Sequence, residues 1–530
     1  MKKIIVVFAI ILSTFAILAT TIISSSNAVE ISSQILKSDV YVNFFYVGET
    51  PCNVDLKRGD IVHVVNEKFV EGKSYYLYEG KEKKIYFSYK NKTFFVNNKP
   101  YGIKFKPGKD KIDISIKKQD LQYVELDGDL TSTLAEILAN RTNLKILYCR
   151  KMTDKGLEYV KALPHCTVLD ISESKINGEG VGHLNKRLTH LRLWGVSLKN
   201  KELQLLQKLP NLQCLDLWNV NVDDETIKYI QNISGLRSLS LAYTNVGNKG
   251  LEVITSLKNL QYLNLWRTQI DDNGLSKIVA LTNLTHLNLS NTKTTEKSMS
   301  SLNKLQKLKY LCLTRSNSNN KAIASISKLS KLQTLKIWYS DIDDSGIKEV
   351  SKLKTLKKLY LVGCKITNSG IEEVAKLKNL QFLSLTNNPQ IGNKSIEYLQ
   401  HLPKLKHLEI DGTSFNNDGI KALRLLKKLN HLNLYNTGTT NEGLFELQNI
   451  LNLKFLILTS CNIDNTGMGY LAAHKNLEYL ALGGTKVSYK GLMKLKPLNK
   501  LRMLLISGLD INADGVNSIE KILPDCLVKK

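Results

Sequence analysis

The chain has 530 residues, more than a single domain core usually holds, so it contains either several domains or an array of repeats. Hydrophobic residues make up 43% of the chain, a fraction that excludes a disordered protein. The formal net charge of +26 is compatible with a nucleic acid, an anionic lipid or an anionic glycan as partner, and equally with a lysine-rich solvated surface.

The amino terminus has the pattern of an export signal. Lys2 and Lys3 precede a mainly apolar run over residues 4–23, and Ser26-Asn27-Ala28 follows it. We predict that residues 1–28 are a signal peptide, or an N-terminal membrane anchor because the run is longer than most signal cores. In either case the rest of the chain is expected to be extracytoplasmic: secreted, periplasmic or at the cell surface. The membrane is a partner only through residues 4–23, if they stay uncleaved, and export makes nucleic acid an unfavourable partner.

Residues 29–118 alternate apolar and polar side chains between glycine and proline punctuation, which predicts a small all-β domain. The segment VYVNFFYVGETPCNVDLKRGDIVHVV resembles a PEGA-type module of bacterial envelope proteins. Its matching residues are Gly48, Thr50, Pro51, Leu56 and Gly59. No helical segment of the kind found in an F-box occurs in this region.

The pattern LxxLxL recurs about every 24 residues from Leu121 onward, in about 17 copies over residues 119–524. We number the places of each repeat from its first leucine. In residues 260–281 the pattern predicts a short strand with Leu263 and Leu265 facing inward, followed by a helix capped by Asp271 or Asp272. A single unit of this kind cannot bury its own apolar face, so neighbouring repeats must stack.

These repeats resemble the leucine-rich repeat family, in the cysteine-containing or GALA-like (ribonuclease-inhibitor-like) variant. Place nine holds threonine or cysteine and place fifteen usually holds glycine, as in Thr268, Cys364 and Gly274. The resemblance implies an α/β solenoid: a leucine-rich-repeat horseshoe with a concave parallel β-sheet and convex helices. Residues 525–530 break the pattern and are expected to form a C-terminal cap.

No sequence pattern of a catalytic site, metal site or cofactor site stands out. HExxH, GxSxG, GxxxxGK[ST] and CxxC are absent. Gly178, Gly180 and Gly182 lie where a repeat starts its helix and are interpreted as repeat punctuation. His407 and His431 lie on adjacent rungs near Glu409, which is too small a set for a metal site. The cysteines are expected to be free thiols, with Cys214 and Cys312 facing outward. We therefore expect no enzyme, no cofactor and no metal.

All four tryptophans occupy place seven, which strand alternation puts on the exposed concave face. Aromatic residues there could simply stabilise the strand ladder, but Trp, Tyr and Arg together are also typical of binding hot spots. The row extends over about 29 Å at ~4.8 Å per strand, which suits a protein or an extended polymer. The candidate ligand-binding residues are Arg192, Trp194, Asp216, Trp218, Tyr262, Asn264, Trp266, Arg267, His286, Tyr310, Lys336, Trp338 and Tyr339.

The two ends of the array carry further apolar side chains at outward places. Near the carboxyl end these form a predicted second exposed apolar patch, comprising Phe455, Ile457, Tyr479, Met503 and Leu505. Near the amino end, Tyr123, Ile146, Tyr148 and Val168 make the first rungs unusually apolar. We expect the β-domain to dock there and shield them.

The sequence therefore predicts an exported, non-enzymatic leucine-rich-repeat protein that binds a protein or peptide partner on its concave face. One alternative is a cell-envelope glycan-binding protein, because aromatic side chains can stack on sugars. A second is a ubiquitin-ligase substrate adaptor like the GALA and F-box leucine-rich-repeat proteins, which the missing F-box disfavours.

Overall fold

The protein is known here from a computed structural model. It describes residues 28–33, 39–42, 45–49, 52–55, 61–65, 73–77, 84–90, 93–96, 99–105, 121–141, 143–316 and 318–530. The apolar run predicted to be a signal or anchor lies outside the described residues. In the part of the chain that is described, no helix has the length and hydrophobicity needed to span a bilayer.

Each repeat folds as its pattern predicts. Around Trp266, the strand residue Leu263 and the next inward residue, Leu265, are fully buried. Asp271 accepts a hydrogen bond from the backbone N–H of Asn273 and so caps the helix Asp272–Lys277. Leu275 on that helix is also fully buried, so strand and helix share one core.

The chain divides into two compact units, residues 1–294 and 295–530. In unit 1, eight repeat strands pair in parallel, each with the next along the chain. They are β10 (Tyr123–Leu126), β11 (Ile146–Cys149), β12 (Val168–Asp170), β13 (His190–Arg192), β14 (Cys214–Asp216), β15 (Ser238–Ser240), β16 (Tyr262–Asn264) and β17 (His286–Asn288).

In unit 2, ten strands form a parallel sheet of the same kind. They are β18 (Tyr310–Cys312), β19 (Thr334–Trp338), β20 (Lys358–Val362), β21 (Phe382–Ser384), β22 (His407–Glu409), β23 (His431–Asn433), β24 (Phe455–Ile457), β25 (Tyr479–Ala481), β26 (Met503–Leu505) and β27 (Leu527–Lys529). The last strand shows that the predicted C-terminal cap adds one more rung to the sheet.

Helices connect the strands on the opposite side of the sheet. The α-helices are Ser132–Arg141, Asp154–Val160, Asn200–Leu203, Asn248–Ile254, Asp272–Lys277, Glu296–Met299, Asn320–Ser325, Asp344–Val350, Asn368–Val374, Ser395–Leu399, Asn417–Leu423, Asn441–Leu447, Gly467–Leu471, Tyr489–Leu492 and Ala513–Ile522. Short 3-10 helices are Glu179–His183, Gln204–Lys208, Ile227–Ile230, Ile278–Ala280, Ser300–Lys304 and Met493–Leu495. The parallel sheets with their helices confirm the predicted α/β solenoid.

The described part of the amino-terminal region consists of strands. They are β1 (Ala28–Ser33), β2 (Asp39–Val42), β3 (Phe45–Glu49), β4 (Cys52–Asp55), β5 (Ile61–Val65), β6 (Lys73–Leu77), β7 (Lys84–Lys90), β8 (Thr93–Val96) and β9 (Lys99–Phe105). Strands β3, β2, β5 and β6 form an antiparallel sheet. Strand β9 pairs in parallel with β10, with Gly102 opposite Tyr123. The small all-β region therefore continues the repeat sheet through β9, a pairing that the sequence did not predict. Tyr123, Ile146, Tyr148 and Val168 are buried, in line with the expectation that the first rungs are shielded.

Side chains at place thirteen link the helix starts of successive repeats. Asn441 accepts the backbone N–H of Asp464 at 3.2 Å and donates to its carboxylate at 2.8 Å. The glycine of the following repeat, Gly467, leaves room for this amide, since a Cβ there would lie 2.5 Å from the Asn441 Oδ1. In the same way Asp154 accepts the N–H of Gly180, so the GxGxG pattern is repeat punctuation.

Candidate functional site

The turn after each strand fixes the direction of the place-seven side chain. Place eight has positive φ in every repeat from Glu173 to Gly508, for example 55° at Arg267. The residue at place nine then stabilises the turn: the hydroxyl of Thr268 donates a hydrogen bond to the carbonyl of Leu265 at 2.8 Å. The chain thus leaves the strand sharply, and Trp266 is held on the face of the sheet opposite the helices. We call this the sheet face.

Four rings on the sheet face of unit 1 pack together, and we call them the aromatic cluster: Trp194, Trp218, Tyr243 and Trp266. The ring centroids of Trp218 lie 5.3 Å from those of both Trp194 and Trp266. Tyr243 lies 6.1 Å from Trp218 and 4.7 Å from Trp266. The small Ala242 at the intervening place seven leaves room for this contact across two rungs. All four rings are partly exposed.

The aromatic cluster ends at an exposed cation. The Arg267 guanidinium lies 4.7 Å from the centroid of the Tyr243 ring, and Arg267 is exposed. Both residues occupy place eight, with φ of 55° and 59°. This backbone conformation is shared by place eight throughout the array, so the repeat turn itself determines where both side chains start. Tyr243 is not among the residues predicted from the sequence, although its aromatic side chain directly follows place seven, which holds the tryptophans in other repeats.

Arg192 and Asp216 were predicted to be exposed, and this is wrong because both are buried. Arg192 lies between two carboxylates at the same place on neighbouring rungs, 2.9 Å from Asp216 and 3.8 Å from Asp170. Its guanidinium also lies 5.3 Å from the Trp194 ring and 5.9 Å from Tyr41 of β2. The amino-terminal region thus touches the sheet face here, and Arg192 supports the aromatic cluster rather than ending in solvent.

The remaining candidates in unit 1 form a second, partly exposed group. The Tyr262 and His286 rings stack with centroids 4.4 Å apart. The Nδ1 of His286 lies 2.9 Å from the hydroxyl of Thr285, which orients the imidazole. Asn264 accepts the backbone N–H of Trp266 at 3.1 Å, so this amide holds the turn that positions the tryptophan.

In unit 2 the predicted residues surround a buried lysine. The Lys336 Nζ lies 4.6 Å from the Tyr360 ring centroid, 5.8 Å from that of Tyr310 and 5.6 Å from that of Trp338. Lys336 and Tyr310 are buried, which corrects the expectation that both are exposed, since aromatic rings cover the ammonium. Burial raises the pKa of Tyr310 well above its usual value. Trp338 is partly exposed and Tyr339 is 46% exposed.

The prediction of a second exposed apolar patch is wrong, because four of its five residues are buried. Phe455, Ile457, Tyr479 and Met503 are between 1% and 9% exposed, and Leu505 is intermediate. Rings of adjacent rungs stack along this part of the sheet and cover one another. The ladder comprises Tyr360, Phe382, His407, His431, Phe455 and Tyr479, with centroids 3.7 to 6.0 Å apart.

The two adjacent histidines belong to this ladder. The His407 and His431 rings stack 3.7 Å apart at an angle of 8°. The Nε2 of His407 lies 3.2 Å from Glu409 Oε1. Rings that stack in this way do not converge their nitrogens on one point. Across the described residues, no group of three or more His, Cys, Asp or Glu side chains is arranged to hold a metal ion.

Seven cysteines are free and buried: Cys149, Cys166, Cys214, Cys312, Cys364, Cys461 and Cys526. Burial raises the pKa of Cys149 to about 12 and that of Cys364 to about 11, which keeps both thiols protonated near neutral pH. Cys214 and Cys312 lie on the sheet face as expected, but they are buried rather than exposed.

Comparison with known proteins places the repeats in a family. The family described as Leucine-rich repeat region matches residues 219–349 and 294–528, which together span more than half of the chain. The chain belongs to the leucine-rich repeat family. The search of curated proteins gave no match for this leucine-rich repeat protein.

Solved structures with similarity to this leucine-rich repeat protein include two bacterial chains and one from mouse. An internalin (inlF) from Listeria monocytogenes is 24% identical, with a TM-score of 0.45, over 59% of this chain and 89% of that chain. A leucine-rich repeat protein of Leptospira interrogans is 22% identical, with a TM-score of 0.44, over 76% and 93%. The mouse RP105/MD-1 complex contributes a chain 17% identical, with a TM-score of 0.46, over 76% and 77%.

Proposed function

We propose that this chain is an exported, non-enzymatic leucine-rich repeat protein that binds a protein or peptide partner through the sheet face of unit 1. The observation that carries the proposal is the aromatic cluster ending at Arg267. Trp, Tyr and Arg are the residues most often found at binding hot spots. Here they are partly exposed, side by side, and held by a turn whose geometry repeats throughout the array.

The cluster is preorganised, which favours tight binding. Trp218 contacts three other rings. Arg192, which lies against the Trp194 ring, is held by Asp170 and Asp216. Side chains that are already ordered lose little conformational entropy when a partner binds. A partner would therefore meet a rigid apolar surface with one exposed cation, Arg267, at its end. An apolar side chain next to a carboxylate fits this combination.

The proposal also covers export of the chain, the type of its repeats and its domain organisation. Lys2, Lys3 and the apolar run of residues 4–23 support export. Threonine and cysteine at place nine support the cysteine-containing, GALA-like repeat variant. The segment around Gly48 and Gly59 supports a PEGA-like envelope module at the amino terminus. The domain boundaries proposed are 1–28, 29–118, 119–524 and 525–530.

A glycan is the second candidate ligand of the same surface. Aromatic rings that are partly exposed can stack on sugar rings, and Arg267 could donate hydrogen bonds to hydroxyl groups. The cluster offers only one exposed cation, so this glycan would be neutral or weakly charged.

The proposal is tested by capturing binding partners with the parent protein and with a fixed set of its variants. Residues 29–530 serve as bait for a cell-surface extract and, in parallel, for a glycan array. The variants are Trp266→Ala and Arg267→Ala, and the control is Phe445→Ala, which removes an exposed ring from a helix. We expect one captured protein to lose about 2 kcal/mol of binding free energy with each site variant and none with the control.

Three results would contradict the proposal. A partner that binds all three variants as tightly as the parent would place its contacts elsewhere. A neutral glycan bound in a Trp266-dependent manner would favour the second candidate. Turnover of a captured molecule, with release of a product, would contradict the non-enzymatic part.

A further inference from the structure

The positive charge of the protein is concentrated on one edge of unit 2. Seven successive loops that lead from a helix into the next strand carry sixteen Lys or Arg residues and no Asp or Glu. We call these loops the basic edge: residues 303–309, 327–333, 351–357, 375–381, 400–406, 424–430 and 448–454. At ~4.8 Å per rung, the basic edge is about 29 Å long.

The opposite edge of the same unit does not share this charge. Six segments there lead from a strand into the next helix: 315–321, 339–345, 363–369, 387–394, 412–418 and 436–442. They contain four Lys or Arg and five Asp or Glu residues. A lysine-rich surface that served only solubility would not need to separate its charges between two edges in this way.

The loops of the basic edge are held to one another, so their charges keep a fixed spacing. Asn379 donates its amide to the carbonyl of Lys354 at 3.0 Å, and Asn452 donates to that of Lys427 at 3.2 Å. Lys404 reaches the amide oxygen of Asn379 at 2.7 Å. These bonds tie three pairs of neighbouring loops to each other through side chains.

Charged neighbours surround some cations of the basic edge. Glutamates outside the loops contact Lys352, Lys376 and Lys454, through Glu349, Glu373 and Glu478 respectively. The pKa of Lys406 is lowered, first by burial and then by the charge of Lys428. A polyanion along this edge would relieve the repulsion.

We propose that the basic edge binds a linear anionic glycan, on a surface separate from the sheet face. Fifteen of the sixteen cations are lysines, which act as point charges and suit regularly spaced carboxylate or sulfate groups. The loops contain no Phe, Trp or Tyr, so they lack the stacking side chains on which single-stranded nucleic acids are bound.

A membrane surface fits less well. Surface-bound basic segments usually bring apolar side chains to insert between lipids. The five loops from 303 to 406 contribute no exposed large hydrophobic residue, and only Leu425 and Leu451 in the last two loops are exposed.

Heparin, a linear sulfated glycan, is the probe for the test, and the protein is the full chain. The edge variant reverses four exposed lysines: Lys328→Glu, Lys331→Glu, Lys354→Glu and Lys427→Glu. The control variant makes the same change of charge at exposed lysines of unit 2 outside the edge: Lys321→Glu, Lys348→Glu, Lys421→Glu and Lys490→Glu. If the edge variant does not fold, Lys→Gln replaces Lys→Glu in both.

We expect the edge variant to bind heparin at least about tenfold more weakly at 0.1 M salt, with a shallower salt dependence, because ion pairs release counterions. The control variant and Trp266→Ala should stay within about twofold of the parent. The loss with the edge variant alone supports the proposal and leaves the sheet-face function untouched. An equal loss in the control variant, or no binding by the parent, would overturn it.

Two further probes separate the other polyanions. A poly-dT oligonucleotide that binds more tightly than heparin and loses affinity with the edge variant would assign the edge to nucleic acid. Phosphatidylglycerol vesicles that bind the parent but not a Leu425→Ser/Leu451→Ser variant would assign it to a membrane. Either result overturns the glycan proposal, and weaker binding of both probes supports it.

Discussion

For a tryptophan directly after a strand core, the sequence predicts which face of the sheet the side chain lies on, but not how exposed it is. Strand alternation correctly puts Trp218 and its neighbours on the sheet face. It does not give exposure, because exposure depends on what the next rungs carry. Arg192 is buried by two carboxylates and Lys336 by aromatic rings. Those partners come from other repeats, so a reading of each repeat alone could not have identified them.

Replacing Trp218 with alanine should cost stability as well as binding. The variant loses ring contacts with Trp194, Tyr243 and Trp266. Since the ring is only partly buried, we expect the free energy of unfolding to fall by about 2–3 kcal/mol, between a surface ladder contact and a core cavity. Urea denaturation measures the change. A loss below about 0.5 kcal/mol would mean that the rings contribute nothing to folding.

His474 occupies a core position at which the neighbouring repeats have Leu426, Ile450 and Leu498. It is fully buried. Burial lowers its pKa from 6.5 to about 4, although the carbonyl of Ile450 raises it in part. Because the unfolded chain binds the proton first as pH falls, the stability present above pH 6.5 is lost progressively as pH falls toward 4. The loss from this one residue amounts to about 3 kcal/mol.

His474→Leu should therefore stabilise the protein, and more in acid. The variant restores the side chain found in other repeats and removes the titrating group. We expect a gain of about 1 kcal/mol at pH 7.5 and a few kcal/mol more at pH 4.5, by the same linkage. Urea denaturation at both pH values checks this. An equal gain at both would show that His474 does not take up a proton on unfolding.

At the scale of the repeat, the sequence predicts strands, caps and the inward leucines because these depend on local periodicity. The hydrogen bonds between helix starts were not predicted. Place thirteen holds Asn or Asp in most repeats, at the start of the helix, which alone resembles ordinary capping chemistry. Only the stacking of rungs shows that Asn441 serves the next repeat and that Gly467 is needed to admit it.

Alanine substitutions at two glycines of one short helix should change the stability of the protein in opposite directions. Gly→Ala in a helix normally stabilises, because alanine costs less backbone entropy. At Gly467, however, the new Cβ would lie 2.5 Å from the Asn441 amide, whereas at Gly469 it would meet nothing within 4 Å. We expect Gly467→Ala to destabilise by about 1–3 kcal/mol and Gly469→Ala to stabilise by about 0.5 kcal/mol.

Combining Gly467→Ala with Asn441→Ala tests whether the glycine and the amide interact. Removing the amide relieves the clash, so the double variant should be more stable than the sum of the two single changes implies. Strict additivity in urea denaturation would mean that the glycine and the amide do not interact.

At the scale of the whole molecule, an array of identical rungs has two ends that its pattern cannot cover. The end of unit 2 is covered by its own continuation, because the helix Ala513–Ile522 and β27 follow the last full repeat. The start of unit 1 is covered by a region of different character, through β9 on β10 and Tyr41 near Arg192. The apolar first rungs indicated from the sequence that a cover was needed, but not that a strand would extend the sheet.

Deleting residues 38–118 should therefore expose the first rungs. Strand β10, which carries the buried Tyr123, would lose its pairing with β9 and become an unpaired edge. Exposed edges and apolar surface promote association, so we expect stronger binding of a hydrophobic dye, a lower melting temperature and a larger aggregated fraction in light scattering. Tyr41→Ala, which removes one contact with Arg192 and leaves the strands in place, should stay monomeric. A deletion variant that remains monomeric and melts with the parent would show that the amino-terminal region is a separate module and that the first rungs need no cover.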